Sequence, residues 1–158
     1  MNQKITPFLW FDNNAEEAVN FYTSVFKESR IAETTRYVDG GPGPKGQVMT
    51  MSFELNGQTF TALNGGPHFK FTEAISFVVK CENQEEIDYY WDKLLEGGQA
   101  QQCGWLKDKF GLSWQIVPAE IGKLFGGDDP QRTARVMQAM MQMDKIIIAD
   151  LQKAAEQK

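Results

Sequence analysis

The chain carries one short pattern twice, and that repetition limits its fold more than any other feature. Asn14–Phe26 has the marks of a helix: Asn14 can cap the free N–H groups, and Glu17 three residues on completes a capping-box pair. Ala18, Tyr22, Val25 and Phe26 then fall on one face at helical spacing. Asn83–Leu95 repeats the pattern, with Asn83 as cap, Glu86 as its partner and Ile87, Tyr90, Trp91, Leu94 and Leu95 on the apolar face. The caps stand 69 residues apart (83 − 14), and that spacing maps Glu17 onto Glu86, Tyr22 onto Trp91 and Phe26 onto Leu95. Gly97-Gly98 ends the second helix in the expected way.

Strand patterns flank both helices. Ile5–Phe11 precedes the first and Ala74–Lys80 the second. Arg30–Val38, Val48–Leu55 and Thr59–Leu63 follow the first, with Asn56-Gly57 as a hairpin turn. Met49, Met51, Phe53 and Leu55 alternate with Thr50, Ser52 and Glu54, as in a half-buried strand. Gln99–Cys103, Trp105–Lys107 and Leu112–Val117 follow the second helix, and Gly57–Thr61 aligns with Gly111–Gln115 at a spacing of 54 (111 − 57). The expected fold is α+β: tandem paired βαβββ units, 4–64 and 73–118, within one domain spanning 1–118. Each curved sheet carries one helix on its back, and the pair leaves a cleft inside, since a lone four-strand unit would keep long open edges.

Residues 119–158 form a C-terminal helical extension. Pro118–Phe125 gives a short helix closed by Gly126-Gly127; Asp129 then caps, Pro130 takes the first helical position, and one long helix runs to about Gln157. Val136, Met137, Met140, Met141, Ile147, Ile148 and Leu151 make an apolar stripe that either covers the chain's own core or serves as the arm of a homodimer; the dimer arm is preferred.

Sixteen Lys+Arg against twenty-one Asp+Glu give a net charge of −5, which leaves no basic excess for nucleic acid. No run of about 18 apolar residues crosses a membrane. Met1–Pro7 leads straight into a strand without an apolar leader, and two cysteines cannot build a disulfide scaffold, so a cytoplasmic protein with free thiols is expected.

Several stretches resemble one family. Leu9-Trp10-Phe11-Asp12, Ala15-Glu16-Glu17-Ala18, Phe21-Tyr22, Leu63-Asn64-Gly65-Gly66-Pro67, Ile75-Ser76-Phe77 and the run Gln102–Gln115 resemble the PhnB-like, or demethylubiquinone methyltransferase-like, branch of the vicinal-oxygen-chelate (glyoxalase/bleomycin-resistance) superfamily. The tail Met137–Leu151 also fits that branch, and the resemblance supports a dimer. It implies four inward positions for metal ligands, at Pro7 or Phe8, at Thr61, near Ser76 and at Gln115. Among these, Gln115 alone could bind a cation, and weakly, so a metal-free site without a cofactor is expected.

The candidate ligand-binding set is Trp10, Thr61, Asn64, Ser76, Trp105 and Gln115, a few polar groups among aromatic rings suited to a small, partly apolar molecule. With Gln115 facing the ligand, alternation sends Trp114 under a helix. His68, the single histidine, is a candidate general acid/base in the linker after the first unit, although loop histidines are commonly plain surface groups. Cys103 is a candidate nucleophile, although thiols more often pack as small hydrophobes, and Cys81 offers less. Lys107-Asp108-Lys109 has the look of a solvated turn. Gly40–Gly46 joins two strands and contains two prolines, so it is a hairpin loop and not a phosphate cradle. No glycine turn runs from strand to helix, which speaks against methyl transfer. Two principal functions stay open: an enzyme or resistance-type protein acting on a small organic molecule, and a non-catalytic protein that sequesters or senses one. A metal-dependent isomerase, lyase or dioxygenase of glyoxalase type is a third.

Overall fold

A computed structural model describes residues 3–157; Met1 and Asn2, the start of the expected lead into the first strand, lie outside the described residues. The chain divides into two compact units at Phe71/Thr72. The first contains β1 (Phe8–Phe11), α1 (Ala15–Val25), β2 (Ser29–Arg36), β3 (Val48–Leu55) and β4 (Gln58–Asn64). Its sheet runs β1-β4-β3-β2, with β1 parallel to β4 and the other pairs antiparallel. The second unit repeats this with β5 (Ser76–Cys81), α2 (Gln84–Leu95), β6 (Gln99–Ala100), β7 (Trp105–Lys107) and β8 (Ser113–Pro118) in the order β5-β8-β7-β6. The duplication expected from the two helices is therefore present in strand order and in direction. Both ends of the expected strand pattern shift for local reasons. β1 begins after Pro7, which accepts a hydrogen bond from Thr61 N (3.0 Å) but has no N–H to return. β6 stops at Ala100 because Cys103 and Gly104 take left-handed backbone angles (φ 61° and 81°) that break the strand.

In the first unit α1 buries Ala18, Val19, Tyr22 and Val25 against the sheet. Phe53 of β3 is fully buried and stacks between Tyr22 (6.3 Å between centroids) and Phe60 (5.4 Å). Asn14 was the expected cap of α1, but its side chain makes no capping bond. Asn64 takes over from 49 residues away: its Oδ1 accepts from Ala15 N (2.9 Å) and its Nδ2 donates to Val48 O (2.9 Å). The Tyr37 hydroxyl donates to the Asn64 carbonyl, so this one buried residue ties together α1, β3, β4 and the loop after β2.

The second unit caps α2 locally, with Asn83 Oδ1 accepting from Glu86 N (2.9 Å), and buries Ile87, Tyr90, Trp91 and Leu94. Its own polar tie is Asp108. The expected solvated turn is instead closed by a buried carboxylate: Oδ1 accepts from Phe110 N (2.9 Å) and Leu112 N (3.0 Å), and Oδ2 accepts from Trp114 Nε1 (2.9 Å). Burial of a carboxylate is tolerated where donors replace its water.

The C-terminal helices pack within the second unit. α3 (Ile121–Phe125) ends at Gly126 in the left-handed region, and Asp129 caps α4 (Pro130–Met141) through Gln131 N and Arg132 N. The single long helix expected to reach Gln157 is two: the chain breaks after Met141 and restarts as α5 (Ile148–Glu156). The break is fixed by distant partners. Met143 and Asp144 carbonyls accept from Cys103 N and Gly104 N (2.8 Å each), and Ile146 is fully buried. Gln84 of α2 donates to Ile146 O (2.9 Å) and accepts from Ile148 N (2.8 Å), capping α5 from another element. Lys145 pairs with Asp88 at 3.0 Å. Arg135 donates to the carbonyls of Ala154 and Ala155, and Val136 and Leu151 are buried, so part of the apolar stripe covers this unit's own core.

Asn64→Ala leaves a helix-terminal N–H and a strand carbonyl unpaired in the interior. We expect a loss of about 2–4 kcal/mol of stability, from roughly 1–3 kcal/mol per orphaned group, read as a lowered urea midpoint.

Candidate functional site

Strand alternation gives each sheet a face turned from its helix, and register places side chains on it in rows. In the first unit Phe8 lies beside Thr61 and Thr61 beside Ser52; the next row is Trp10, Leu63 and Thr50. Hydroxyl groups dominate its polar content: Thr35 and Thr50 share a hydrogen bond of 2.6 Å, and Ser52 Oγ accepts from Glu33 N. Arg30 and Glu54 form an exposed ion pair (2.7 Å).

Trp10 is half-buried, and the linker folds onto it. Its Nε1 donates to Gly66 O (2.9 Å), and a Cβ on Gly65 would lie 2.4 Å from the indole, so glycine is required there. Phe69 meets the ring edge-on at 4.9 Å and His68 at 6.5 Å, both rings exposed. His68 thus sits beside an aromatic platform within its own unit. Asn64, in the expected ligand set, is buried with its amide committed to Ala15 and Val48, which makes it part of the scaffold.

In the second unit the central row is Val78, Gln115 and Trp105, and the adjoining row is Ser76, Ser113 and Lys107. Trp114 and Ile116, of opposite parity, are buried on the α2 side, as alternation requires once Gln115 faces outward. Gln115 Nε2 donates to Ser76 Oγ (2.8 Å), so two expected site residues are joined, with Trp105 directly across from Gln115. All three are half-buried, the exposure of groups that can touch a ligand while packed in place. Lys107 and Ser113 did not enter the expected set. Two-residue spacing from Trp105 and Gln115 was the available signal.

The positions that the resemblance assigned to metal ligands are filled by Phe8, Thr61, Ser76 and Gln115. Phe8 has no donor atom, Thr61 and Ser76 offer neutral hydroxyls, and the Gln115 amide already serves Ser76. Neither unit's pair of positions supplies the roughly three good ligands that a divalent cation wants. Among the described residues no three His, Cys, Asp or Glu side chains gather.

The two thiols differ. Cys81 is buried, and desolvation, with Glu86 and Glu82 adding repulsion, pushes its thiol up to about 12. Cys103 is half-buried in the positive-φ turn pinned to Met143. At pH 8 one thiol should react quickly with a disulfide reagent such as dithionitrobenzoate, and Cys103→Ser should abolish that phase, because the neutral, buried Cys81 thiol stays silent. Fast labelling that survives Cys103→Ser contradicts this.

Comparison with known proteins agrees with the fold and extends it. A family profile described as 3-demethylubiquinone-9 3-methyltransferase matches residues 3–117, stopping short of α3. The PhnB protein of Bacillus cereus, described by the same enzyme name, is 44% identical, with 73% of this chain and 99% of that chain covered and a TM-score of 0.67. A Pseudomonas aeruginosa protein is 19% identical, covering 74% of this chain and 98% of its own, with a TM-score of 0.61. The fosfomycin resistance protein FosX of Listeria monocytogenes, solved with Mn(II) and sulfate, is 12% identical at a TM-score of 0.51, covering 85% and 98%. The last two likenesses bear on the fold alone. No curated protein matches.

Proposed function

We infer a function from membership and from the open face of the second unit together: the chain belongs to the 3-demethylubiquinone-9 3-methyltransferase family, within the PhnB-like branch of the glyoxalase superfamily. In this reading it binds a small, partly apolar organic molecule against Ser76, Trp105 and Gln115. The observation that carries it is the Gln115–Ser76 hydrogen bond beside Trp105, a polar pair and an indole held half-buried on a preformed sheet face. Sheet pairing fixes these groups before a ligand arrives, which lowers the ordering cost of binding.

Binding, and not methyl transfer, is the proposal despite the family's descriptive name. The β1–α1 connection is Asp12-Asn13-Asn14 and the β5–α2 connection is Glu82-Asn83, neither offering the glycine turn that cradles a nucleoside cofactor's phosphate or ribose. A calorimetric titration with S-adenosylmethionine should be flat, and saturable heat would overturn this part. A catalytic version of the same proposal gives His68 the acid/base role, because it lies against Trp10 on an accessible linker. Cys103, pinned in its turn, is the alternative nucleophile. With a turnover substrate in hand, His68→Ala that leaves turnover unchanged would remove the acid/base role from His68.

Homodimer formation belongs to the same proposal, supported by Met137 and Met141, which stay exposed on α4 while Val136 beside them is buried. Sedimentation velocity should return twice the chain mass, and a single-chain mass would overturn it.

A thermal-shift screen over small metabolites should find a stabilising ligand, since saturation a hundred-fold above its dissociation constant adds about 2.7 kcal/mol. Gln115→Ala and Trp105→Ala should each weaken that ligand about ten-fold, roughly 1.4 kcal/mol, with little change in the melting temperature of the free protein. A ligand indifferent to both substitutions removes this face from the proposal.

A further inference from the structure

The row Ser76, Ser113, Lys107 holds an anomaly. Ser113 is fully buried, and among the described residues its Oγ has no hydrogen-bond partner. An orphaned hydroxyl in the interior has given up its water without a replacement and is rare in well-formed proteins. Register puts Lys107 directly beside Ser113 on one flank and Ser76 directly beside it on the other, all on the face that carries Gln115. The Lys107 ammonium does not stay on its own strand; it forms an ion pair with Glu73, three residues ahead of Ser76. Since β8 lies between β7 and β5, a side chain starting on β7 and ending ahead of β5 passes over Ser113. The pair is half-exposed at both ends and therefore weakly held. Glu73 is exposed at the start of the segment leading to β5, where the Gln101 side chain and its own backbone also hydrogen-bond its carboxylate.

We propose that the Lys107–Glu73 ion pair is a displaceable strap, and that the ligand of this face carries a carboxylate which replaces Glu73 on Lys107 and accepts a hydrogen bond from the uncovered Ser113 hydroxyl. The proposal rests on the small-molecule reading given above and names the charge of its ligand. The Glu73 carboxylate is already an internal occupant of the Lys107 donor. A ligand carboxylate that takes its place gains the Ser113 hydroxyl as well, and its apolar body lies along Val78 and Trp105 in the neighbouring row, within reach of the Gln115 amide. An internal competitor weakens the apparent affinity by the fraction of time it occupies the site, so its removal must tighten binding.

Calorimetric titration of the full chain with benzoate, and with benzamide as its neutral twin, tests this. Benzoate should bind the wild-type chain at least ten-fold more tightly than benzamide. Glu73→Gln, at an exposed position, should tighten benzoate three-fold or more. Lys107→Met should erase the preference for the anion, and Ser113→Ala should weaken benzoate several-fold while benzamide is unchanged. In the wild-type chain the Lys107 hydrogen bond holds the Glu73 carboxyl below its ordinary value; carboxyl-detected NMR should show it returning upward as benzoate is added. Equal affinity for both twins overturns the proposal, as does a Glu73→Gln variant that binds benzoate no better than wild type, or absence of benzoate binding in both chains. Failure is also distinguishable from failure of the underlying reading. Equal binding of the twins that still needs Gln115 and Trp105 leaves the small-molecule face standing without its anion. A screen ligand indifferent to Gln115→Ala and Trp105→Ala removes the face itself.

Discussion

A buried carboxylate governs the geometry of the second unit. Asp108 accepts from two backbone N–H groups in its own turn and from the indole of Trp114, and each of those bonds has a separate consequence. The turn bonds close the connection between β7 and β8, which sets Lys107 opposite Ser113 and Trp105 opposite Gln115. The indole bond draws Trp114 to the α2 side, and the pleat then obliges its neighbours Ser113 and Gln115 to point the other way. The charge is affordable in the interior because three donors replace the lost water. It thus reinforces, at the turn, the order of groups that the β7–β8 ladder sets on this face.

The two halves solve the same local problem by different routes. α2 is capped within its own first turn by Asn83, whereas α1 depends on Asn64 at the far end of β4. At the position in β8 corresponding to Asn64 stands Pro118, which has no side-chain acceptor to offer. A duplicated unit is therefore free to move a capping function from a local residue to a distant one, provided the N–H at the helix start finds an acceptor. The C-terminal segment extends this practice: Gln84 supplies both a donor and an acceptor to the chain around Ile146–Ile148, and so one helix finishes another.

Periodic features were legible in the sequence, and long-range polar ties were not. The two helices, the alternation of β3, the hairpin at Asn56-Gly57 and the opposed directions of Trp114 and Gln115 follow from spacing alone, because side-chain direction repeats every 3.6 or 2 residues. Ser76 and Gln115 were placed in one candidate set and meet by a hydrogen bond. The tie that Asn64 makes was hidden because the same amide chemistry that suits a ligand suits a helix end 49 residues away. Asp108 resembled solvent-facing charge because its neighbours are lysines, and nothing local shows that Trp114 lies within reach of it. The break between α4 and α5 was hidden for a similar reason: the carbonyls of Met143 and Asp144 are claimed by Cys103 and Gly104, some forty residues upstream.

β2 is the outermost strand of the first sheet, and its residues from Arg30 to Arg36 are exposed. One side of an eight-residue strand thus offers amide and carbonyl groups to whatever extended chain drifts past, the geometry from which stacked assemblies grow. Arg30, Glu33 and Arg36 interrupt it with charge, and its pairing to β3 slips register at Ile31/Glu33 and at Thr35/Arg36. A template that is irregular and charged is a poor one for copying. Three side chains that contribute nothing to the core thus guard this border of the sheet against further pairing.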